Sequence, residues 1–267
     1  MINYKKIILA SCMLLGITGV NAQTAEPESS LQLGVNSLYM PAFVGSKDYN
    51  VFLLPDYNLN YQDTFFLTVE DGARYALIKK SGWSFGPVAE VAMARNEDGD
   101  SIFRVGGPKT TALAGLGNVN TTLNVGGFAS YDAKHIKGKV DLMQGIGGAP
   151  GVVTDMKVNY VNNIGYFYYA IGPKALFGNG QYLNDYWGIN NQQAINSGLP
   201  TYHTNSGLVF YGVRASGLMP ISKTMLIAGF VEYDRLAPQV ANSPLVQQRG
   251  SANQLSVDLS WDYYFKF

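Results

Sequence analysis

Gln254-Leu255-Ser256-Val257-Asp258-Leu259-Ser260-Trp261-Asp262-Tyr263-Tyr264-Phe265-Lys266-Phe267 alternates polar and apolar at every step to the final residue. Successive side chains of a strand point to opposite faces. Leu255, Val257, Leu259, Trp261, Tyr263, Phe265 and Phe267 therefore share one greasy face, and the residues between them share a wet one. In a soluble sandwich the greasy face meets a second sheet, and the chain rarely ends in that core. A long terminal strand that grows more aromatic toward its end reads as the closing strand of an antiparallel β-barrel with lipid outside.

Composition supports an all-β transmembrane barrel. Hydrophobic residues make up 47% and charged residues only 14%, against about 25% charged in soluble domains. No stretch after residue 22 approaches the roughly 18 consecutive apolar residues of a spanning helix. Eighteen tyrosines and 30 glycines suit two-sided strands with aromatic girdles. Segments with an apolar set on one parity recur along the chain: Leu53 to Tyr61, Phe65 to Leu77, Trp83 to Met93, Leu123 to Tyr131, Val152 to Tyr160, Tyr169 to Phe177, Val209 to Ala215 and Met225 to Tyr233 among them. They number about eleven, and bacterial barrels use even strand counts, so Ser101 to Val105 is expected to supply a twelfth, with about ten strands as the alternative. Pro55 belongs near a strand end or a bulge.

The N-terminus predicts export. Lys5 and Lys6 precede an apolar stretch from Ile7 to Val20, and Val20-Asn21-Ala22 supplies small residues for a signal peptidase. Leu9-Ala10-Ser11-Cys12 also matches a lipoprotein box, but cleavage there would leave almost no hydrophobic region. The expected organisation is a secretory signal over 1–22, a flexible lead over 23–30 and one barrel over 31–267. The only cysteine, Cys12, leaves with the signal, so no disulfide or thiolate chemistry is expected.

Turns of Gly, Asn, Pro and Ser type, such as 79–82, 161–164 and 219–222, alternate with long polar connections over 180–203 and 236–253. In barrels of this class the short turns face the periplasm and the long loops face outward. Catalytic motifs are lacking. His135 and His203 have no metal-ligand spacing, and the closeness of His203 to Ser206 in sequence is not triad geometry. Gly115-Leu116-Gly117 and Gly145-Ile146-Gly147 do not complete a nucleotide-binding pattern. Asn96-Glu97-Asp98-Gly99-Asp100 lacks the spacing of a calcium loop. No cofactor, metal or nucleic-acid partner is expected.

The inward parity is richer. Glu70, Arg74, Glu90, Arg214, Glu232 and Asp258 all fall opposite the lipid-facing set. Charges enclosed by a small barrel must pair or stay hydrated. With both signs in near balance, a plug of mixed pairs is expected over a conduit, because selective channels carry rings of one sign.

Pro41-Ala42-Phe43-Val44-Gly45-Ser46, with Tyr49, Pro55 and Tyr57, resembles the N-terminal motif of the MipA/OmpV outer-membrane family, the MltA-interacting proteins. Tyr182-Leu183-Asn184-Asp185-Tyr186-Trp187-Gly188-Ile189, Ala194 and Ser197-Gly198-Leu199-Pro200-Thr201-Tyr202 are similar to that family's long-loop motif, and Arg235-Leu236 with Ser243-Pro244-Leu245-Val246 completes the order. Phe43 stands where tyrosine is usual. The resemblance implies a Gram-negative outer-membrane barrel without catalytic residues, acting as a scaffold between a murein transglycosylase and a peptidoglycan synthase. A narrow pore for small solutes and a surface adhesin working through the long loops are the alternatives. Other expected partners are outer-membrane lipid and the barrel-insertion machinery, which would read Trp261, Tyr263, Phe265 and Phe267 as its address.

Overall fold

A computed structural model describes residues 29–267; the expected export segment and residues 23–28 of the lead lie outside them. The wall is built from β1 (Ser30–Pro41), β2 (Tyr49–Tyr61), β3 (Phe65–Thr68), β4 (Gly72–Tyr75), β5 (Ile78–Lys80), β6 (Trp83–Ala92), β8 (Thr122–Asp132), β9 (Ile136–Gly147), β10 (Val152–Ile164), β11 (Phe167–Gly178), β12 (Gly207–Pro220), β13 (Met225–Leu236) and β14 (Asn253–Lys266). A short β7 (Arg104–Gly106) lies beside β2. Each strand pairs antiparallel with its neighbours, and β14 pairs with β1 from Lys266↔Ser30 to Val257↔Tyr39. The result is a closed 12-strand antiparallel barrel, with β4 and β5 serving as two pieces of one wall strand.

Burial is inverted relative to a soluble protein. Leu33, Val35, Leu259, Trp261, Tyr263 and Phe265 are exposed on the outer surface, whereas Gln32, Asn58, Asp141, Ser260 and Asp262 are buried. An apolar exterior around a polar interior is stable when hydrocarbon replaces water outside, because closing the ladder satisfies most of the strand backbone. Aromatic rings gather near the rims. Trp83 lies 4.9 Å from Tyr131 and stacks at 5.7 Å on Phe85, while Tyr39 stacks on Tyr49 at 5.1 Å.

The count of twelve arises differently from the sequence expectation. Ser101 to Val105 is not a wall strand: β7 touches β2 only at Val51 and Phe52. The extra strand comes instead from the segment Phe65 to Leu77, which folds back on itself at 69–71 as the β3–β4 hairpin. Parity alone conceals such a reversal, because the apolar set keeps the same phase across the turn.

Wall prolines fall where pairing is interrupted. Pro55 lies in the middle of β2, not near its end as expected. Leu53 N–H donates to Phe103 O at 2.9 Å, and Tyr61 O accepts from Thr64 N at 3.0 Å, so odd-numbered residues of β2 face the β3 side. Pairing with β3 covers only Asn58 to Tyr61 and pairing with β7 only Val51 and Phe52, so Pro55, in register with Val35 of β1, has no partner strand on its other side. Its missing N–H therefore costs no ladder bond. Pro87 of β6 likewise sits opposite the break between β4 and β5, where residues 75–77 face residues 86–87 in a bulge.

The end carrying Ser29 and Phe267 also carries tight turns at 62–64, 81–82, 133–135, 165–166 and 221–224. The turn expected over 161–164 lies slightly later, since β10 continues to Ile164. Ser81 (φ 52°) and Gly82 (φ 84°) both take positive φ, as a two-residue hairpin requires. Long connections crowd the opposite end and contain α1 (Gly180–Trp187), α2 (Asn191–Ser197), α3 (Pro238–Ala241) and α4 (Pro244–Arg249).

Gly34 shows how tightly the inward rows are packed. It pairs with Asp262 on one side and Asp56 on the other, and a Cβ there would lie 2.1 Å from Asp262 Oδ1. Gly127 of β8 is roomy by comparison, with its closest contact at 3.7 Å. Gly34→Ala should destabilise the barrel by about 3 kcal/mol, at the upper end of overpacking costs, whereas Gly127→Ala should be nearly silent. Urea midpoints in detergent, read by the heat-modifiable gel shift, would check both.

Candidate functional site: a strut across the lumen and a cap over its mouth

The β3–β4 turn at 69–71 bends into the barrel and delivers two carboxylates to bases on the far wall. Arg214 of β12 grips Glu70 with both nitrogens (2.5 and 2.9 Å), and Lys157 of β10 reaches the same carboxylate at 2.5 Å. Asp71 is paired with Lys139 of β9, and Lys157 approaches it to 3.5 Å. Arg74 of β4 forms a two-pronged pair with Asp141 of β9 at 2.9 and 2.5 Å, where Lys139 also arrives at 3.1 Å. The chain of charges continues from Arg214 to Glu232 (3.7 Å), from Glu232 to Lys174 (2.7 Å) and from Lys174 to Asp234 (3.5 Å). Arg214 also lies 3.6 Å over the Phe230 ring. Bidentate charge-assisted pairs are among the stronger hydrogen bonds, so these residues form a strut from one wall to the other.

Of the charges expected inside, Glu70, Arg74, Arg214 and Glu232 join the strut. Glu90 and Asp258 do not, making no ion pair within 4 Å among the described residues. Lys139, Asp141, Lys157, Lys174 and Asp234 share the inward parity of their strands and were legible by that rule. Asp71 was not, because it sits in the concealed turn. The expected balance of signs also fails: Asp56, Asp258 and Asp262 crowd β2 and β14 with no base in ion-pair range among the described residues. The lumen therefore has an excess of acid on one wall and its bases on the other.

Apolar residues gather at both ends of this space. Val161, Ala170, Leu218, Leu226, Ala228 and Tyr264 cluster on the inner wall of β10–β14 toward the tight-turn end. At the opposite end the long connections, read from sequence as polar, bury the largest apolar cluster of the described residues, including Phe43, Leu113, Leu183, Trp187, Leu199, Val240 and Leu245. Trp187 holds this cap together. It is 2% exposed, its Nε1 donates to Val44 O at 3.0 Å, and its carbonyl accepts from Ser243 Oγ at 2.7 Å. Arg249 donates to Ala112 O and Ala114 O, each at 3.0 Å, and to Ser197 O. Gly45, at φ 106°, admits Val246 against its bare Cα. Tyr182 reaches down to pack with Phe128, Met143 and Val153 inside the wall.

Local signals for the cap helices were present in the sequence. Asn190 and Gln193 form a reciprocal capping box, Gly198 (φ 73°) ends α2, and Pro238 and Pro244 open α3 and α4. The cap also carries perturbed groups. Burial lowers the Arg95 guanidinium to about 10, even though it lies 5.5 Å over the Tyr186 ring. Burial raises the Asp185 carboxyl, with no cation opposing it. Ser206 Oγ accepts from Gly180 N at 2.9 Å, so it serves the backbone instead of pairing with His203. His135 lies far from both, its Nδ1 3.1 Å from Val161 O. Asp100 is paired with Arg104 (3.3 Å) and Lys109 (3.2 Å).

Trp261, Tyr263, Phe265 and Phe267 stand exposed on the outer face of β14 and beyond its end. Among solved structures, the chain resembles the NanC porin at 14% identity, covering 86% of this chain and 98% of that one with a TM-score of 0.40. An outer membrane channel from Pseudomonas putida F1 matches at 9% identity, over 92% and 100% of the two chains, with a TM-score of 0.45. Ail, the attachment invasion locus protein of Yersinia pestis, matches at 12% identity over 90% and 100%, with a TM-score of 0.26. At these values the likeness is one of barrel architecture alone. Comparison with curated proteins finds no match. The family model described as MltA-interacting protein MipA matches residues 33–265, which include the strut, the cap and nearly all of the wall. The chain belongs to the MltA-interacting protein MipA family.

Proposed function

We propose that this chain is a non-enzymatic outer-membrane barrel that holds cell-wall enzymes, a murein transglycosylase and a peptidoglycan synthase among them, at its periplasmic rim. The carrying observation is the crowded lumen. A cap, an ion-pair strut and an apolar cluster on the inner wall follow one another along the barrel axis. A barrel so filled presents its rims as working surfaces. The rim at the tight-turn end faces the periplasm by the usual asymmetry of such barrels, and it displays exposed Lys79, Lys80, Lys134, Lys223 and Lys266. Such a ring of cations attracts an acidic partner surface and speeds encounter with it. The family description supplies the transglycosylase as one partner. Residues 1–22 act as the export signal in this reading, and Trp261, Tyr263, Phe265 and Phe267 act as the address for the insertion machinery.

Photo-crosslinkers at Lys134 and Lys223 should capture a murein transglycosylase in cells, and one at Asn191 in the cap should not. Capture of none from either rim position would overturn the scaffold reading.

A narrow pore is the second reading, favoured by the acid surplus and by the Glu70 side chain, which remains 42% exposed within the lumen. In planar bilayers the wild type should show little or no steady conductance. Arg74→Ala removes the two-pronged partner of Asp141, whose side chain is only 2% exposed, leaves it Lys139 alone at 3.1 Å, and should lower barrel stability by about 1–3 kcal/mol. Steady cation-selective current through the wild type, with unchanged melting of Arg74→Ala, would move the function to transport.

A further inference from the structure

The cap contains a cleft that neither the strut nor the periplasmic rim uses. Its volume is about 540 Å³, within the range of small-molecule sites. The cleft lies where the end of α1, the α1–α2 link and the returning segment at 201–203 meet Asn118, Val119 and Gly148. The Ile189↔Tyr202 bridge fixes one side of it. Asn184, Asp185, Gly188, Ile189, Thr201 and Tyr202 of the long-loop motif line it, and neither the strut nor the periplasmic rim involves these side chains.

The polar groups of the lining divide into those already engaged and those left over. Asn184 donates to Gly180 O and Thr204 O and accepts from Thr204 N. Gln193 is held by Asn190 and by Leu116 O. Asp185 is different. Its Oδ2 is buried with no hydrogen-bond partner, and among the described residues the carboxylate makes no ion pair. A desolvated acceptor without a donor is costly, and neither lysine nor arginine lines the cleft. Asn118 uses only its carbonyl, which accepts from Glu97 N at 2.7 Å, so its amide N–H groups remain available. Asn191 and His203 stand exposed at the edge. Tyr202 is anchored through its hydroxyl to Gln239 O at 2.8 Å, which fixes its ring beside these groups.

One carboxylate acceptor, free amide donors, a fixed aromatic ring and no cationic side chain do not suit an anion or a purely apolar ligand. They suit a ligand whose neighbouring hydroxyls both donate and accept, with an apolar ring face to lie against tyrosine. We propose that this cleft is a binding site for a neutral saccharide presented at the outer surface, with Asp185 as its principal hydroxyl acceptor.

Ligand-observed saturation-transfer NMR on the full chain tests this, in an amine-oxide detergent with no sugar headgroup. N-acetylglucosamine, galactose and maltose serve as separate probes, with spermidine as the cationic control. At least one sugar should receive saturation on its ring protons, and Asp185→Asn should weaken its binding tenfold or more. The heat-modifiable gel shift of Asp185→Asn should match the wild type, because Asp185 holds no structural partner. Transfer to spermidine alone, transfer to no sugar, or sugar binding unchanged in Asp185→Asn would each overturn the proposal.

Discussion

Every backbone N–H and C=O inside a hydrocarbon layer needs a partner, because no water is there to supply one. This chain has no helix long and apolar enough to cross a membrane among its described residues, so the requirement falls on strands, and an open sheet would leave two unsatisfied edges. Closure of β14 on β1 removes them. Closure in turn forces twelve inner faces, rich in polar side chains, into a narrow space, and much of the interior follows from that confinement. Lumen charges must find partners across the bore or stay hydrated, small residues such as Gly34 must stand where carboxyls meet, and the mouth must be roofed or left wet.

Local departures from an ideal barrel obey the same rule. The β3–β4 hairpin spans only part of the wall height, and its tip leaves the sheet for the lumen. That leaves part of β2 without a neighbour, and Pro55, which has no N–H to satisfy, occupies the exposed stretch. The tip itself carries Glu70 and Asp71, whose charges would be prohibitive there without Arg214, Lys157 and Lys139 opposite. The missing wall and the strut are thus two aspects of one folding choice.

Much of the wall was legible because period two is a strong signal when one face meets lipid. The terminal strand from Gln254 to Phe267 has the inside–outside pattern its sequence announced. The reversal at 69–71 was hidden because residues 65 and 75 share parity, so a hairpin and a continuous strand look alike. The cap was hidden for another reason: its apolar residues, Phe43, Leu113, Trp187 and Leu245, lie far apart in sequence and meet only in three dimensions. Its helices left short-range marks in Asn190, Gln193, Pro238 and Pro244, too brief for any periodicity. Lumen partners such as Arg74 and Asp141 could be assigned a face but not a mate, since pairing across a bore depends on barrel diameter and strand tilt.

The joining of β1 to β14 also sets an order of events. The first strand waits for β14, so the growing sheet keeps two bare edges until β14 has been made and delivered. Bare edges are templates for wrong pairing. A sheet still open at β1 and β14 carries that hazard until the two strands meet. A change that weakens the pairing of β1 with β14 is therefore felt by the whole wall.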